Sequence, residues 1–357
     1  MSGIWGNKIK FSIFGESHGE AVGITIDGLE PGMVLDFEDI KKEMDRRAPG
    51  KSALASTRRE KDEFQVLSGI FNGKTTGTPL CAIIPNTGQK SGDYEKTKDL
   101  MRPSHADYTG YIKYKGFNDY RGGGHFSGRL TAPLVFAGAI CRQVLGKKGI
   151  MLGSHIKSVG TIEDAGFDLT EVGAEVLTSL WEKPFPVIDP SAGEAMEKAI
   201  IQAKNSRDSL GGVIEAAVIN LPAGIGEPFF DSMESTLAHL LFSVPGVKGL
   251  EFGSGFEITK MKGSQAKDEY YIKDGQVKTY SNHNGGILGG ITNGMPLIFR
   301  VAVKPTPSIG LEQRTINVAR SVNENIEITG RHDPCIVLRA IPVIEAVTAM
   351  ALLDSIS

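Results

Sequence analysis

Ile9-Lys10-Phe11-Ser12-Ile13-Phe14-Gly15-Glu16-Ser17-His18-Gly19-Glu20-Ala21-Val22-Gly23-Ile24-Thr25-Ile26-Asp27-Gly28 reads as two strands joined by a tight turn. Residues 9–14 and 21–28 alternate or run apolar at strand length. Gly15 and Gly19 permit the turn between them and would leave Ser17 and His18 exposed on it. A connection this short pairs its strands antiparallel.

Outward from this unit, Asp36 is placed to cap a helix over 37–47, with Phe37, Ile40 and Met44 near helical spacing and Ala48-Pro49-Gly50 as its stop. Strands are predicted at 64–71, 79–85, 213–221 and 295–303, and another just after Cys335. Residues 87–101 are polar and turn-rich. Helices are predicted at 131–145, 170–183, 191–206, 231–244 and 341–356. The order of elements recurs loosely after residue 210, and no composition break marks a linker. The expectation is an α+β layered fold with antiparallel pairing, one compact domain over 1–357, with possible internal duplication from about residue 210.

The chain has 357 residues, 23% charged and 40% hydrophobic, as in soluble globular proteins. No run of about 18 apolar residues suggests a membrane span, and residues 1–10 lack the apolar core of a secretory signal. Cys81, Cys141 and Cys335 are scattered and read as reduced thiols of a cytoplasmic protein. The net charge of −3 argues against a general nucleic-acid binder. Residues 1–150 carry 22 Lys and Arg against 17 Asp and Glu, a surplus of five; the remainder carries 17 against 25, a deficit of eight. The surplus is either chance asymmetry or a funnel for a small anion.

Three histidines lie in dense polar cassettes: Gly15-Glu16-Ser17-His18-Gly19, Arg102-Pro103-Ser104-His105-Ala106-Asp107 and Gly330-Arg331-His332-Asp333-Pro334. A fourth stretch, Arg121-Gly122-Gly123-Gly124-His125-Phe126-Ser127-Gly128-Arg129, is a glycine-rich loop bounded by arginines, and the helix after it can turn its N-terminal amides to an anion. Glycine admits close backbone approach, histidine moves protons near neutral pH, and arginine forks match phosphate and carboxylate. The cassettes are read as one anion-binding, proton-handling site, with Arg47, Arg102, Arg129 and Arg331 as its cations. Any one of these arginines alone is equally well a surface ion pair, and Arg46 and Arg47 alternatively complement a helix C-terminus. Asp333 is either a positioned base or a member of a structural ion pair.

Other motifs exclude functions. Gly15, Ser17 and Gly19 have the spacing of a hydrolase nucleophile elbow, but a strand rather than a helix follows. Gly285-Gly286-Ile287-Leu288-Gly289-Gly290 is neither a dinucleotide fingerprint nor a Walker loop. No histidine pair or Cys–His set has metal-ligand spacing, so no metal is expected. Lys304-Pro305-Thr306-Pro307-Ser308 offers a cation and hydroxyls for a phosphate or flavin edge, or is an ordinary strand exit.

From about residue 8 to the C-terminal end the sequence closely resembles the chorismate synthase family. The resemblance rests on the 15–19 cassette, Asp45-Arg46-Arg47 with Pro49-Gly50, Arg58-Arg59-Glu60, His105-Ala106-Asp107-Tyr108-Thr109, and 119–124. It continues through 281–290, 304–308 and 330–335. It implies a β-α-β sandwich with an internal pseudo-twofold, assembled as a homotetramer. It implies loss of phosphate and a ring hydrogen from 5-enolpyruvylshikimate 3-phosphate, giving chorismate with reduced FMN, for which NADPH or a separate flavin reductase supplies electrons. By motif, His18 would protonate the leaving phosphate, and His105 would protonate or orient the flavin. Asp333 would accept a proton from flavin N5, with Ser17 and Ser127 in support. Arg47, Arg102, Arg129 and Arg331 would bind anionic groups. His125, Phe126, Ser127, Gly289, Lys304, Pro305, Thr306, Pro307, Ser308 and Arg331 match flavin-contact stretches. The chain departs from the family pattern at His125-Phe126, at Ala53, at Pro245-Gly246 and at Pro307. The rivals are a flavin oxidoreductase acting on a small anion and a non-enzymic anion or nucleic-acid binder. The acidic second half and the absence of interleaved aromatic and basic residues disfavour the latter.

Overall fold

A computed structural model describes residues 3–50, 54, 61–87, 92–95, 97–328 and 332–357. The chain packs as two compact units, each assembled from separated stretches. The first comprises Met1–Ala137, Ile200–Leu210 and Pro305–Arg339; the second comprises Gly138–Ala199, Gly211–Lys304 and Ala340–Ser357. Three helices carry the chain from one unit into the other, Thr131–Lys147, Pro190–Asn205 and Val337–Ile356. Interleaving of this kind leaves no linker for composition to reveal.

The first unit is built on a five-stranded antiparallel sheet. Its order is Ile4–Trp5, Lys10–Gly15, Ala21–Asp27, Leu80–Pro85 and Gln65–Ser68. The opening sequence does form the hairpin its alternation predicts, with Ile13 opposite Ile24 and Gly15 opposite Val22. Side chains alternate across a pleat, so Val22, Ile24 and Ile26 share a dry face with Leu80, Ala82 and Ile84. Asp36 caps helix Phe37–Arg47 as expected, accepting from the Glu38 and Asp39 amides at 3.0 Å. That helix buries Ile40 and Met44. Phe37, Phe64 and Phe136 then pack in sequence with tilted rings, centroids 6.2 and 4.9 Å apart.

The second unit holds another five-stranded antiparallel sheet, ordered Val247–Phe252, Leu297–Val303, Gly212–Ile219, Met151–Val159 and Ile162–Glu163. Helix Ala174–Glu182 supplies Leu177 and Leu180 to a cluster with Phe167, Ala217, Ile219 and Ile298. Strands Met151–Val159 and Val247–Phe252 were not anticipated. The first contains Ser154, His155, Lys157 and Ser158, and those polar residues hide its strand pattern. Gly138 lets the two long helices meet within this unit, because a Cβ there would strike Ala346.

The strand expected after Cys335 is instead the start of helix Val337–Ile356, which contains Pro342. The run Cys335-Ile336-Val337, with two β-branched residues, is strand-like by itself, but its apolar residues continue into a helix buried along most of its length. Among the described residues no helix is long and apolar enough to cross a membrane.

Candidate active site

The hairpin turn delivers Ser17 and His18, and the glycine-rich loop closes over them. Contrary to the exposed placement predicted, they are 4% and 8% exposed. Gly122, Gly123 and Gly124 take φ of +60°, +89° and +53°, a left-handed run other residues resist. This brings Gly124 O to the Ser17 amide at 3.2 Å and Arg121 O to Ser17 Oγ at 3.2 Å. A Cβ on Gly122 would collide with the His18 imidazole and approach Ser17 Oγ to 2.8 Å. Tyr94 meets the His18 ring edge-on, centroids 5.1 Å apart. The His125 imidazole docks onto the hairpin through Nδ1 and Gly15 O at 2.9 Å. Since a carbonyl only accepts, this nitrogen carries the proton. Phe126 covers Gly110 of helix Asp107–Lys113. Ser127 caps the next turn by accepting from the Arg129 amide at 3.3 Å.

His105 is fixed at both nitrogens. Nδ1 faces Pro103 O at 3.0 Å and Nε2 faces Ser308 Oγ at 2.8 Å. Pro103 O requires the proton on Nδ1, and a neutral ring would then accept from Ser308 at Nε2. Ser104 turns the chain here with a left-handed φ of +59°. The 304–308 stretch therefore reaches His105 through Ser308, which is 8% exposed. Thr306 accepts a hydrogen bond from Ser209 Oγ at its carbonyl, 2.7 Å. Pro305, Thr306, Pro307 and Ser308 belong to the first unit, Gly289 and Lys304 to the second. Lys304 leaves strand Leu297–Val303 with its amide on Gly246 O at 2.9 Å. Burial and the nearby Lys248 charge lower its pKa.

The arginines of the site are engaged by carboxylates of the chain itself. Arg102 forks onto Asp107, Nε–Oδ2 2.7 Å and Nη2–Oδ1 2.8 Å. Its Nη2 would lie 3.8 Å from a Cβ added at Gly123. Arg47 and Arg129 share Asp62, each Nη1 on one of its oxygens. These three side chains are 3% exposed or less. Arg47 also donates from Nε to Thr131 Oγ1 at 3.0 Å and from Nη2 to Gly128 O at 3.2 Å. Burial pushes its pKa down to about 10, with Asp62 opposing and the Arg339 and Arg129 charges assisting. A guanidinium still holds its proton at neutral pH, so the shift reads as electrostatic pressure on the buried cation. Burial tends to raise the Asp62 pKa, and Arg47 and Arg129 outweigh it, keeping the carboxyl below its usual range.

Asp333 is 9% exposed and paired to Arg339, Nη1–Oδ2 2.5 Å. Arg339 Nε donates to Arg47 O at 3.2 Å. His332 beside it has a lowered pKa, chiefly from burial, then from the Arg102 charge. Arg331 and Ala53 lie outside the described residues.

The residues the sequence did not flag are Asp62, Asn86, Tyr94 and Arg339. Asp62 hides in the charged run Lys61-Asp62-Glu63, which reads as solvated surface. Asn86 follows a strand with no motif around it. Arg339 offered a signal, a lone charge at the start of an apolar helix. Within the first unit these contacts bury Arg47 and Arg129 on one shared carboxylate, tie Arg129 through Asn86 to the turn that carries His18, and fix His105 and Asp333 by hydrogen bonds; such groups can bind anions and move protons.

Residues 9–356 match the family model described as chorismate synthase. The chorismate synthase of Dehalococcoides mccartyi is 46% identical over 354 residues, spanning 99% of this chain and 96% of that protein. The chorismate synthase of Thermococcus kodakarensis is 45% identical over 349 residues, 98% of this chain and 96% of its relative. A crystal structure of chorismate synthase superposes with TM-score 0.77 at 29% identity, covering 98% of this chain and 92% of that one.

Proposed function

The chain belongs to the chorismate synthase family, lyases of the shikimate pathway, and from that premise we propose that it eliminates phosphate from 5-enolpyruvylshikimate 3-phosphate with reduced FMN as cofactor. The observation that carries this reading is the closure of the 121–129 loop onto Ser17 and His18. It buries an imidazole on a turn that Asn86 ties to the Arg129 guanidinium. A substrate with two carboxylates and a phosphate requires a cluster of guanidinium groups to offset its desolvation.

The residues also fit a flavin. Thr306 Oγ1 and His332 Nε2 are buried without a hydrogen-bond partner among the described residues, as befits groups awaiting an acceptor- and donor-rich ring system. His105, His125, Phe126, Ser127, Pro305, Thr306, Pro307 and Ser308 would hold it, with Gly289, Lys304 and Arg331 carried by family likeness. When bound there, reduced FMN would supply electron density for breaking the C–O bond with no net redox change. His18 holds the proton that the departing phosphate takes. Ser17 and Ser127 hold the turn and loop that orient it. His105 keeps one face of the site fixed through Ser308. Asp333 takes up at its carboxylate the proton that balances the ring hydrogen lost by the substrate, and Arg47, Arg102, Arg129 and Arg331 bind anionic groups. Each unit carries one five-stranded antiparallel sheet, which supports the internal duplication we propose.

The test is an anaerobic assay with chemically reduced FMN and 5-enolpyruvylshikimate 3-phosphate, following chorismate, phosphate and flavin oxidation. Equal chorismate and phosphate without stoichiometric flavin oxidation is expected. Flavin oxidised in step with turnover would establish the oxidoreductase rival instead. The same reading assigns the chain to the cytoplasm as a homotetramer, with NADPH as electron source. Supplying only NADPH and FMN distinguishes reduction by the chain itself from reduction by a separate reductase.

A further inference from the structure

We infer that Asp62 is a positioning residue of this site, a single buried carboxylate that holds Arg47 and Arg129 in place and, through them, orients both the His18 turn and Asp333. The inference rests on the proposed reading of the arginine pair as an anion site.

The connections run in two directions from Asp62. Its Oδ1 takes Arg129 Nη1. Arg129 Nε then donates to Asn86 Oδ1 at 2.9 Å, and Arg129 Nη2 to Pro85 O at 3.1 Å. Asn86 Nδ2 in turn donates to Glu16 O at 3.0 Å and Gly19 O at 2.9 Å, the carbonyls on either side of Ser17 and His18. In the other direction Asp62 Oδ2 takes Arg47 Nη1. The Arg47 carbonyl receives Arg339 Nε, and Arg339 Nη1 grips Asp333. Arg47 and Arg129 repel each other, and the shared carboxylate lets both stay charged in one dry place. An ion pair serving stability alone would not need to be wired to both proton-handling groups.

A positioning carboxylate and a merely structural one differ in what its neutralisation does to anions. Asp62→Asn removes a negative charge beside two guanidinium groups, so the site attracts any simple anion more strongly. The same change loosens the anchors of the His18 turn and of Asp333. Opposite signs are therefore expected in two measurements on the full-length chain. Titration calorimetry with inorganic phosphate should show several-fold tighter binding by Asp62→Asn than by wild type. Its kcat in the reduced-FMN assay should fall on the order of 100-fold, the scale of a misplaced reacting group. Asp62→Glu restores the charge but shifts it by a methylene, so phosphate affinity should return to the wild-type value while kcat is only partly recovered.

An Asp62→Asn kcat indistinguishable from wild type overturns the inference. So does phosphate affinity that falls in parallel with a loss of folded protein. If Asp62→Asn does not fold, Asp62→Glu decides: lowered kcat at unchanged phosphate affinity supports the role, and unchanged kcat removes it. No phosphate binding by wild type would remove the anion site itself. A wild-type chain that binds phosphate but forms no chorismate sinks the proposed reaction, and the calorimetric comparison still reads Asp62.

Discussion

Arg339 joins Asp333 through Nη1–Oδ2 at 2.5 Å and, from the same guanidinium, donates to the backbone carbonyl of Arg47 at 3.2 Å. The two residues lie six positions apart, Asp333 before helix Val337–Ile356 and Arg339 in its first turn. One cation thus fixes a carboxylate to the end of helix Phe37–Arg47.

Replacing Arg339 with Met keeps its packing length and removes that tie. Asp333 then loses its fixed orientation, and kcat should fall by about 10- to 100-fold with a smaller change in KM. Steady-state kinetics on purified protein check this. An unchanged kcat would mean that Asp333 needs no support from Arg339.

His18→Ala and Asp333→Ala should each reduce turnover more than substrate affinity, because a proton donor or acceptor acts in the transition state. Binding of the substrate, measured separately by calorimetry, should remain near the wild-type value. Affinity lost to the same extent as kcat would recast both residues as ground-state binding groups.

Gly122→Ala places a methyl against the His18 ring at a φ of +60°. The left-handed conformation alone costs about 1–2 kcal/mol for an L-residue, and the clash adds to it. A lowered thermal midpoint and near-complete loss of activity are expected. Gly128→Ala has nothing within 4 Å of its added carbon and is the control: it should retain the wild-type midpoint.

The second unit carries its own pH dependence. His155 is fully buried between Asp164, Nδ1–Oδ2 3.0 Å, and Glu215, Nε2–Oε2 3.0 Å, with Phe167 edge-on at 4.7 Å. Burial works to lower the His155 pKa, and its hydrogen bonds to the two carboxylates outweigh burial and raise it. The imidazolium therefore stabilises the fold fully below the unfolded value of about 6.5, and this contribution is lost as pH rises through the raised folded value. Asp164 behaves oppositely: burial tends to raise it, but His155 and the Ile188 and Asp189 amides hold it low. Its contribution is present above the ordinary Asp value and lost on acidification. Urea midpoints measured from about pH 6 to pH 9 should decline for wild type and decline less for His155→Gln. Parallel curves for the two proteins would dismiss the imidazolium.

Much of the first unit was legible because its signals are local. Alternation in 9–28, the Asp36 cap and the Pro49-Gly50 stop each act within a few residues, and the structure follows them. Strand Met151–Val159 of the second unit is hidden on the same ground. Glu215 and His155 are cross-strand partners in the sheet interior, and only a pairing across 60 positions makes either polar residue tolerable there. The site divides in the same way. His18, His105 and Asp333 announced themselves through their cassettes, whereas Asp62 looked like surface charge until two arginines from distant segments met it.

What the sequence by itself determined is the inventory: an α+β chain with antiparallel hairpins, glycine placed where backbone must turn left-handed, and histidine, arginine and aspartate in the motifs of the chorismate synthase family. What only the tertiary structure decided is which charges meet. Strand alternation and helix capping depend on neighbours along the chain, and their energies can be read there. An ion pair depends on distance through space and on the removal of water, so the partners of Arg47, Arg129 and Asp333 exist only once the stretches around 47, 62, 129 and 333–339 have folded together.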